Sequence, residues 1–128
     1  MPSWSEVQEH MRQAYRLQDD QPDTISMVWA YDDGRSQKIV VRRYHAFERE
    51  MVEFKSAFAH QEDADPGDMI RKNSELPLAT VALLGETYVV VYNCPIENLD
   101  LGDLDFYLSR VAAVADTLEE KYGRRDLF

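Results

Sequence analysis

The sequence predicts an α+β domain in which an antiparallel sheet is flanked by helices, with the element order α-β-β-β-α-β-β-α. Apolar residues recur at helical spacing near both ends of the chain. Between these stripes lie two turn signals, Asp33-Gly34 and Gly85-Glu86, each flanked by runs rich in β-branched and aromatic residues. No repeat, low-complexity tract or linker interrupts the chain, so residues 1–128 are expected to form a single domain.

The first element is predicted to be a helix over residues 4–17. Ser3 and Glu6 have the spacing of a capping box, in which each side chain bonds a backbone amide at the helix start. Trp4, Val7 and Met11 then recur at helical spacing and form an apolar stripe. Residues 18–23 are polar and contain a proline, which predicts a loop.

Three strands are predicted to follow, over residues 24–31, 36–47 and 51–59. The third strand has a rival, a helix over residues 46–58, because several apolar residues there also fit helical spacing. These residues are Phe47, Met51, Phe54 and Phe58. The alternation of Val52 and Phe54 with polar neighbours favours the strand.

The C-terminal half predicts a short helix, a second hairpin and a long last helix. Asp65-Pro66 is typical of a helix start and predicts a helix to about residue 74. Strands are expected over 79–84 and 87–93, and their continuous apolar character predicts that both of their faces are covered. The last helix carries the longest apolar stripe and is expected to end at Gly123. The stripe consists of Leu101, Leu104, Leu108, Val111, Ala115, Leu118 and Tyr122.

Composition limits the classes of function. Twenty-four acidic residues against fourteen basic ones give a net charge of -10, and the basic pairs Arg42-Arg43 and Arg124-Arg125 are too small to offset it, so no nucleic-acid partner is expected. No apolar run reaches the roughly 18 residues of a membrane span. Cys94 is the single cysteine, which excludes an intrachain disulfide. Together with a start that lacks a basic, apolar leader, these features predict a cytoplasmic protein without a membrane partner.

No pattern of residues predicts catalysis, a metal site or a cofactor. The three histidines do not share metal-ligand spacing, and no cysteine pair exists to complete a zinc site. The carboxylate clusters lie where loops, turns and helix starts use them, and the glycines stand singly at turns and helix ends. We therefore expect a protein that is not an enzyme.

Strand register predicts a partner-binding strip. A two-residue turn at Asp33-Gly34 would place Val28 opposite Ile39, and Val41 would share their face. With a three-residue turn at 48–50, the helices would cover the other face of the sheet, and the strip of Val28, Ile39 and Val41 would meet another chain. If the second turn has two residues instead, the third strand changes face and the argument fails.

Three segments of the C-terminal half resemble the YbjN-type domain family. They are residues 69–78 (MIRKNSELPL), 95–101 (PIENLDL) and 111–116 (VAAVAD). That family is grouped with the type III secretion chaperone-like fold, whose element order is the same, and residues 1–65 match it by element order only. The resemblance implies a helix-flanked antiparallel sheet, dimers, and polypeptide binding or regulation. The family has no established catalytic residues to carry over.

Three classes of function are open; an enzyme is the least favoured, and these observations favour the other two. The first is a non-enzymatic polypeptide-binding or chaperone-like protein that acts as a homodimer. The alternative is a regulatory or small-ligand-binding module, with a pocket beneath the last helix lined by Phe106, Tyr107 and Tyr92.

Overall fold

The computed structural model describes residues 2–123, so the Arg124-Arg125 pair lies outside the described residues. Within this range the chain forms three α-helices and six strands. In chain order they are α1 (Trp4–Ala14), β1 (Leu17–Asp20), β2 (Thr24–Ala30), β3 (Ser36–Ala46), β4 (Arg49–His60), α2 (Pro66–Lys72), β5 (Thr80–Leu84), β6 (Thr87–Pro95) and α3 (Leu104–Tyr122). The strands form one antiparallel sheet in the order β1-β2-β3-β4-β6-β5. The expected fold class is confirmed, and residues 49–60 form a strand rather than the rival helix.

The first helix is shorter than expected, and an unexpected strand follows it. Ser3 caps α1 by accepting a hydrogen bond from the Glu6 amide. The helix ends at Ala14, and β1 pairs with β2 in the stretch that was expected to be a loop. The polar residues of β1 are held by tertiary contacts: Asp20 accepts two hydrogen bonds from Arg12, at 2.7 and 2.9 Å. A polar sequence predicts a loop here, because the pattern of residues does not show which partners will bond the polar side chains.

All three helices contribute to a single core on one face of the sheet, which we call the helix-covered face. From α1 come Trp4, Val7 and Met11, and from α2 comes Met69. The stripe of α3 is buried as expected, apart from Leu101, which precedes the helix, and Tyr122, which is half-buried. The sheet residues of this face include Ile25, Met27, Ile39, Val41, Val52, Phe54, Phe58 and Val90.

The β2–β3 turn has three residues rather than two. Tyr31 and Arg35 are joined by a backbone hydrogen bond of 2.9 Å, so the loop consists of Asp32, Asp33 and Gly34. Gly34 has φ +88°, as a type I turn closed by a left-handed glycine requires. Met27 therefore pairs with Ile39, not Val40. This shift by one residue turns every β3 side chain to the other face.

The β3–β4 turn has two residues rather than three. Ala46 pairs with Arg49, and the turn residues Phe47 and Glu48 have φ of 55° and 59°, the positive values of a type I′ turn. This is the two-residue turn for which the faces of β4 were expected to be exchanged relative to those of β3. Two reversals in succession leave β4 on the expected face, so Val52, Phe54 and Phe58 lie beneath the helices as expected.

The outer strand β5 is more exposed than its apolar sequence predicts. Only Val81 of its five residues is buried, so the expectation that both faces of this hairpin are covered is wrong for β5. The backbone of Val81 is bonded by the side chain of Asn73, which follows α2: its Oδ1 accepts from the Val81 amide at 2.6 Å and its Nδ2 donates to the Val81 carbonyl at 3.3 Å. Asn73 thus occupies part of the edge to which another strand could add.

The end of α3 lies very close to β4. Gly123 follows the last helical residue as expected, but its φ is -73°, so it is not needed for a left-handed cap. A Cβ atom at this position would lie 2.8 Å from the Glu119 carbonyl oxygen and 3.1 Å from that of Phe58. Glycine is required here because the helix end and β4 approach so closely.

Candidate functional site

The face of the sheet opposite the helices carries a groove, which is the candidate site. We call this side the open face, and the groove on it has a volume of about 520 Å³. Its lining, drawn from β1, β2, β3, β4 and the β5–β6 hairpin, consists of Gln18, Val28, Ser36, Lys38, Val40, Lys55, Ala57, Leu84, Thr87 and Val89. We call this set the open-face groove. Valine, alanine and leucine side chains provide its apolar surface, which no other element of the described chain covers.

The structure separates the three residues of the predicted partner-binding strip. Val28 lies on the open face, is 44% exposed and lines the groove. Ile39 and Val41 are 0% exposed and belong to the core beneath the helices. Their assignment to an exposed strip is wrong, because the three-residue β2–β3 turn places Ile39 opposite Met27. Val28 alone keeps its expected position.

Val40 lies on the open face, where its neighbours Ile39 and Val41 were expected. It lies on the open face with Val28 and pairs directly with Lys55 of β4. The loop chemistry of Asp32-Asp33-Gly34 could have identified it, since a three-residue loop ending in glycine is the other common hairpin connection. Leu84 and Val89 enter the groove because β6 pairs with β4, a non-local contact that no local pattern encodes.

Two lysines lie in the groove, and each has a carboxylate nearby. Lys38 Nζ is 3.6 Å from an Asp19 oxygen, and Lys55 Nζ is 3.3 Å from a Glu53 oxygen. A hydrogen bond from Ser26, reinforced by the charge of Lys38, lowers the pKa of Asp19. Burial alone would raise the pKa of Glu53, but the hydrogen bond from Arg42 and the charge of Lys55 lower it overall. Both carboxylates are therefore ionised near neutral pH.

Beyond the groove the open face becomes polar and aromatic. The Arg42 guanidinium bonds Glu53 and lies 4.6 Å from the centre of the Tyr44 ring. The Tyr44 hydroxyl donates to Asn93 Oδ1 at 2.6 Å, which joins β3 to β6 across β4. These contacts fix the side chains at this end, so the apolar and accessible part of the face is the groove.

The three rings that were expected to line a pocket beneath α3 pack against one another. Tyr92 and Tyr107 stack with their ring centres 5.1 Å apart, and Phe106 contacts Tyr107 edge-on at 5.7 Å. Burial, with the nearby Cys94 and Tyr107, raises the pKa of Tyr92 to about 12. Such packing is the role that aromatic side chains most often have in a small core.

Exposed apolar side chains also lie next to the groove, at the β5 edge of the sheet, where Leu84 belongs to both. Ile70 of α2 is 71% exposed, and Leu83 and Leu84 of β5 are also exposed. Because Asn73 already bonds the outward backbone groups of Val81, this edge offers apolar side chains rather than a free strand.

Residues that could support other chemistry are dispersed. Within residues 2–123, no three His, Cys, Asp or Glu side chains are grouped closely enough to hold a metal ion. Cys94 is half-buried against the core, and burial raises the pKa of its thiol.

The helices of the described chain are all too short or too polar to cross a membrane.

Solved structures share this fold. A chain from the HopA1–SchA chaperone–effector complex matches with a TM-score of 0.64 and 14% sequence identity, over 94% of this chain and 99% of that one. A chain from the ExsC–ExsE complex also matches with a TM-score of 0.64, at 10% identity, over 95% of this chain and 97% of that one. No protein-family model matches the sequence, and no curated protein does. The likeness shows the chaperone-like α+β fold, and membership of the YbjN-type family stays a prediction.

Proposed function

We propose that this protein is a non-enzymatic, chaperone-like protein that binds a polypeptide segment in the open-face groove. The observation that carries the proposal is the groove itself, an apolar surface left uncovered on a sheet whose other face holds all three helices. Contiguous apolar surface of this kind marks interaction sites in monomeric proteins. The fold supports the proposal, because a structural neighbour comes from a chaperone–effector complex. A cytoplasmic location is part of the same proposal.

The groove favours recognition of side chains over strand addition. It lies across the middle of the sheet, where the backbone groups of β3, β4 and β6 are already paired. A bound segment would therefore place alternate apolar side chains between Val28, Val40 and Val89, and would add no strand to the sheet.

A peptide array tests this function. Immobilised peptides of varied composition are probed with the labelled wild-type protein and with Val40→Asp, which puts a charge in the groove. We expect selective binding by the wild type and its loss in Val40→Asp, whereas Phe106→Asp, an equally drastic change on an exposed residue of α3, binds as the wild type does. Equal binding by all three proteins, or no binding by any, would contradict the proposal. Circular dichroism confirms that the variants fold.

A small ligand is the second candidate occupant, because the groove volume falls within the range of small-molecule sites, roughly 300–1,000 Å³. A thermal-shift screen of metabolites on the same three proteins separates the two. A shift of the melting temperature that disappears in Val40→Asp, together with an empty peptide array, favours the small-ligand module.

We propose further that the protein forms a homodimer through the β5 edge, where Ile70, Leu83 and Leu84 are exposed. The contact would be made by side chains, since Asn73 blocks continuation of the strands. Two chains of charge -10 repel each other, so association should tighten as salt screens the repulsion. Light scattering should report dimers for the wild type and folded monomers for Ile70→Asp combined with Leu83→Asp. A wild type that is monomeric at every concentration and salt would refute the dimer.

A further inference from the structure

The open-face groove differs in charge from the rest of the protein. The chain contains twenty-four acidic residues and only four lysines. The groove nevertheless contains two of those lysines, Lys38 and Lys55, and no acidic residue. The groove is thus a locally cationic, apolar surface on a strongly anionic protein.

Strand pairing places the cations directly beside the apolar surface. Lys38 is the partner of Val28 across β2 and β3, and Lys55 is the partner of Val40 across β3 and β4. Side chains of directly opposed residues on one face start only about 5 Å apart. A segment whose apolar side chains contact Val28 and Val40 would therefore bring its adjacent groups within reach of both ammonium groups.

The nearby carboxylates leave positive charge available. Glu53 is shared, since its Oε1 lies 3.2 Å from Arg42 Nε and 3.3 Å from Lys55 Nζ. Asp19 accepts a hydrogen bond from Ser26 at 2.7 Å and lies farther, at 3.6 Å, from Lys38. In these ion pairs three cations share two carboxylates, and an ammonium group can donate three hydrogen bonds.

We propose that the open-face groove selects an extended polypeptide segment that carries carboxylates next to its apolar side chains. This inference rests on the proposed function and specifies the partner. The apolar side chains contact Val28, Val40 and Val89, and the carboxylates bind Lys38 and Lys55. The net charge of the protein does not prevent this, because at physiological salt charges more than about 8 Å away are largely screened while the two lysines are in contact.

Three synthetic peptides of about ten residues, roughly 33 Å when extended, test the inference. They share a core of alternating valine and threonine and differ only in two flanking positions, which are Asp, Asn or Lys. Fluorescence anisotropy measures their affinity for the whole protein. We expect the Asp peptide to bind about tenfold more tightly than the Asn peptide and the Lys peptide to bind most weakly.

Matched variants assign the effect to the groove. Lys38→Gln combined with Lys55→Gln should bring the Asp and Asn peptides to the same affinity. The control, Lys72→Gln combined with Lys121→Gln, removes the same charge outside the groove and should keep the tenfold difference. Raising the salt concentration from low to physiological should strengthen or leave unchanged the binding of the Asp peptide, because it screens the long-range repulsion first.

The outcomes separate this inference from the proposed function. If the three peptides bind alike and Val40→Asp abolishes binding, the groove binds polypeptides without selecting carboxylates, and the inference is wrong while the function stands. If the Lys peptide binds most tightly, the net charge dominates and the inference is also wrong. If no peptide binds, both fail.

Discussion

The two faces of the sheet are formed by the same strands, but their side chains differ in burial. On the helix-covered face, Ile39 and Val41 are fully buried in the core, and Val40 between them points the other way. On the open face, Val28 of β2 is exposed and Val40 of β3 is half-buried, and Val40 alternates along β3 with Lys38 and Arg42. Of two neighbouring valines in β3, Val40 is thus half-buried on the open face and Val41 is fully buried in the core. The difference shows that strand register, set by two short turns, decides which residues enter the core and which stay on the open face.

A pair of substitutions at adjacent positions should show the largest difference between the faces. Val41→Glu places a carboxylate in the core without a partner and should destabilise the protein by about 4 kcal/mol or more, enough to unfold a small domain. Val40→Glu adds the same group on the open face and should cost less than about 1 kcal/mol. Circular dichroism during urea unfolding measures both.

The opposite result would show that the two faces are assigned the wrong way round. If Val40→Glu unfolds the protein and Val41→Glu does not, β3 has the register that a two-residue β2–β3 turn would impose, and the groove residues are core residues.

Truncation of the α3 stripe tests the helix-covered face from the helix side. Leu108 and Leu118 are buried, so Leu108→Ala or Leu118→Ala should destabilise the protein by about 2–5 kcal/mol through lost contacts and a residual cavity. Phe106→Ala, on an exposed position of the same helix, should cost less than about 1 kcal/mol. Midpoints of chemical denaturation give these values, and equal shifts for all three variants would mean that the stripe does not form the core.

Most elements of the fold are predictable from the sequence because their signals are local. The caps of α1, the alternation in β4 and the long stripe of α3 each lie within a short segment. The polar strand β1 is not predictable in this way, since side chains of the adjacent elements, Arg12 of α1 and Ser26 of β2, bond its aspartates. The pairing of β6 with β4, which completes the groove, is non-local as well.

The candidate site was harder to predict than the fold because it depends on whether each turn has an odd or an even number of residues. That number decides which face of the sheet each side chain of the next strand reaches. The β2–β3 turn has three residues where two were expected, and the β3–β4 turn has two where three were expected. A change of one residue in a turn reverses the faces of one strand relative to its partner. The two reversals cancel for β4, which is why its core residues are as expected. They do not cancel for β3, so Ile39 and Val41 exchange faces with Lys38 and Val40.

The contact between the end of α3 and β4 should be moderately sensitive to a larger side chain at Gly123. Gly123→Ala brings a Cβ atom to 2.8 Å from the Glu119 carbonyl oxygen, so the helix end must move and stability should fall by about 1–2 kcal/mol. Gly102→Ala is the control, because a Cβ atom there approaches only the Asp100 side chain, and its cost should stay below about 0.5 kcal/mol. Thermal unfolding compares them, and an unchanged Gly123→Ala variant would show that α3 ends farther from β4.

The smallest effect should come from the β3–β4 turn, which sets the faces of these strands, and it should be a gain. Phe47 and Glu48 adopt positive φ values that cost ordinary L-residues roughly 1 kcal/mol each, and Phe47 is 89% exposed, so its side chain offsets little of that cost. Phe47→Asn combined with Glu48→Gly supplies the residues that a type I′ turn prefers and keeps the same register. Stability should rise by about 1 kcal/mol and the melting temperature by a few degrees. Glu86→Gly is the matched control, because in the β5–β6 turn only Gly85 has positive φ, so the new glycine relieves no strain and should stabilise nothing. A double variant that is no more stable than the wild type would show that this turn is unstrained, and would remove the evidence that a two-residue I′ turn fixes which valine of β3 faces the groove.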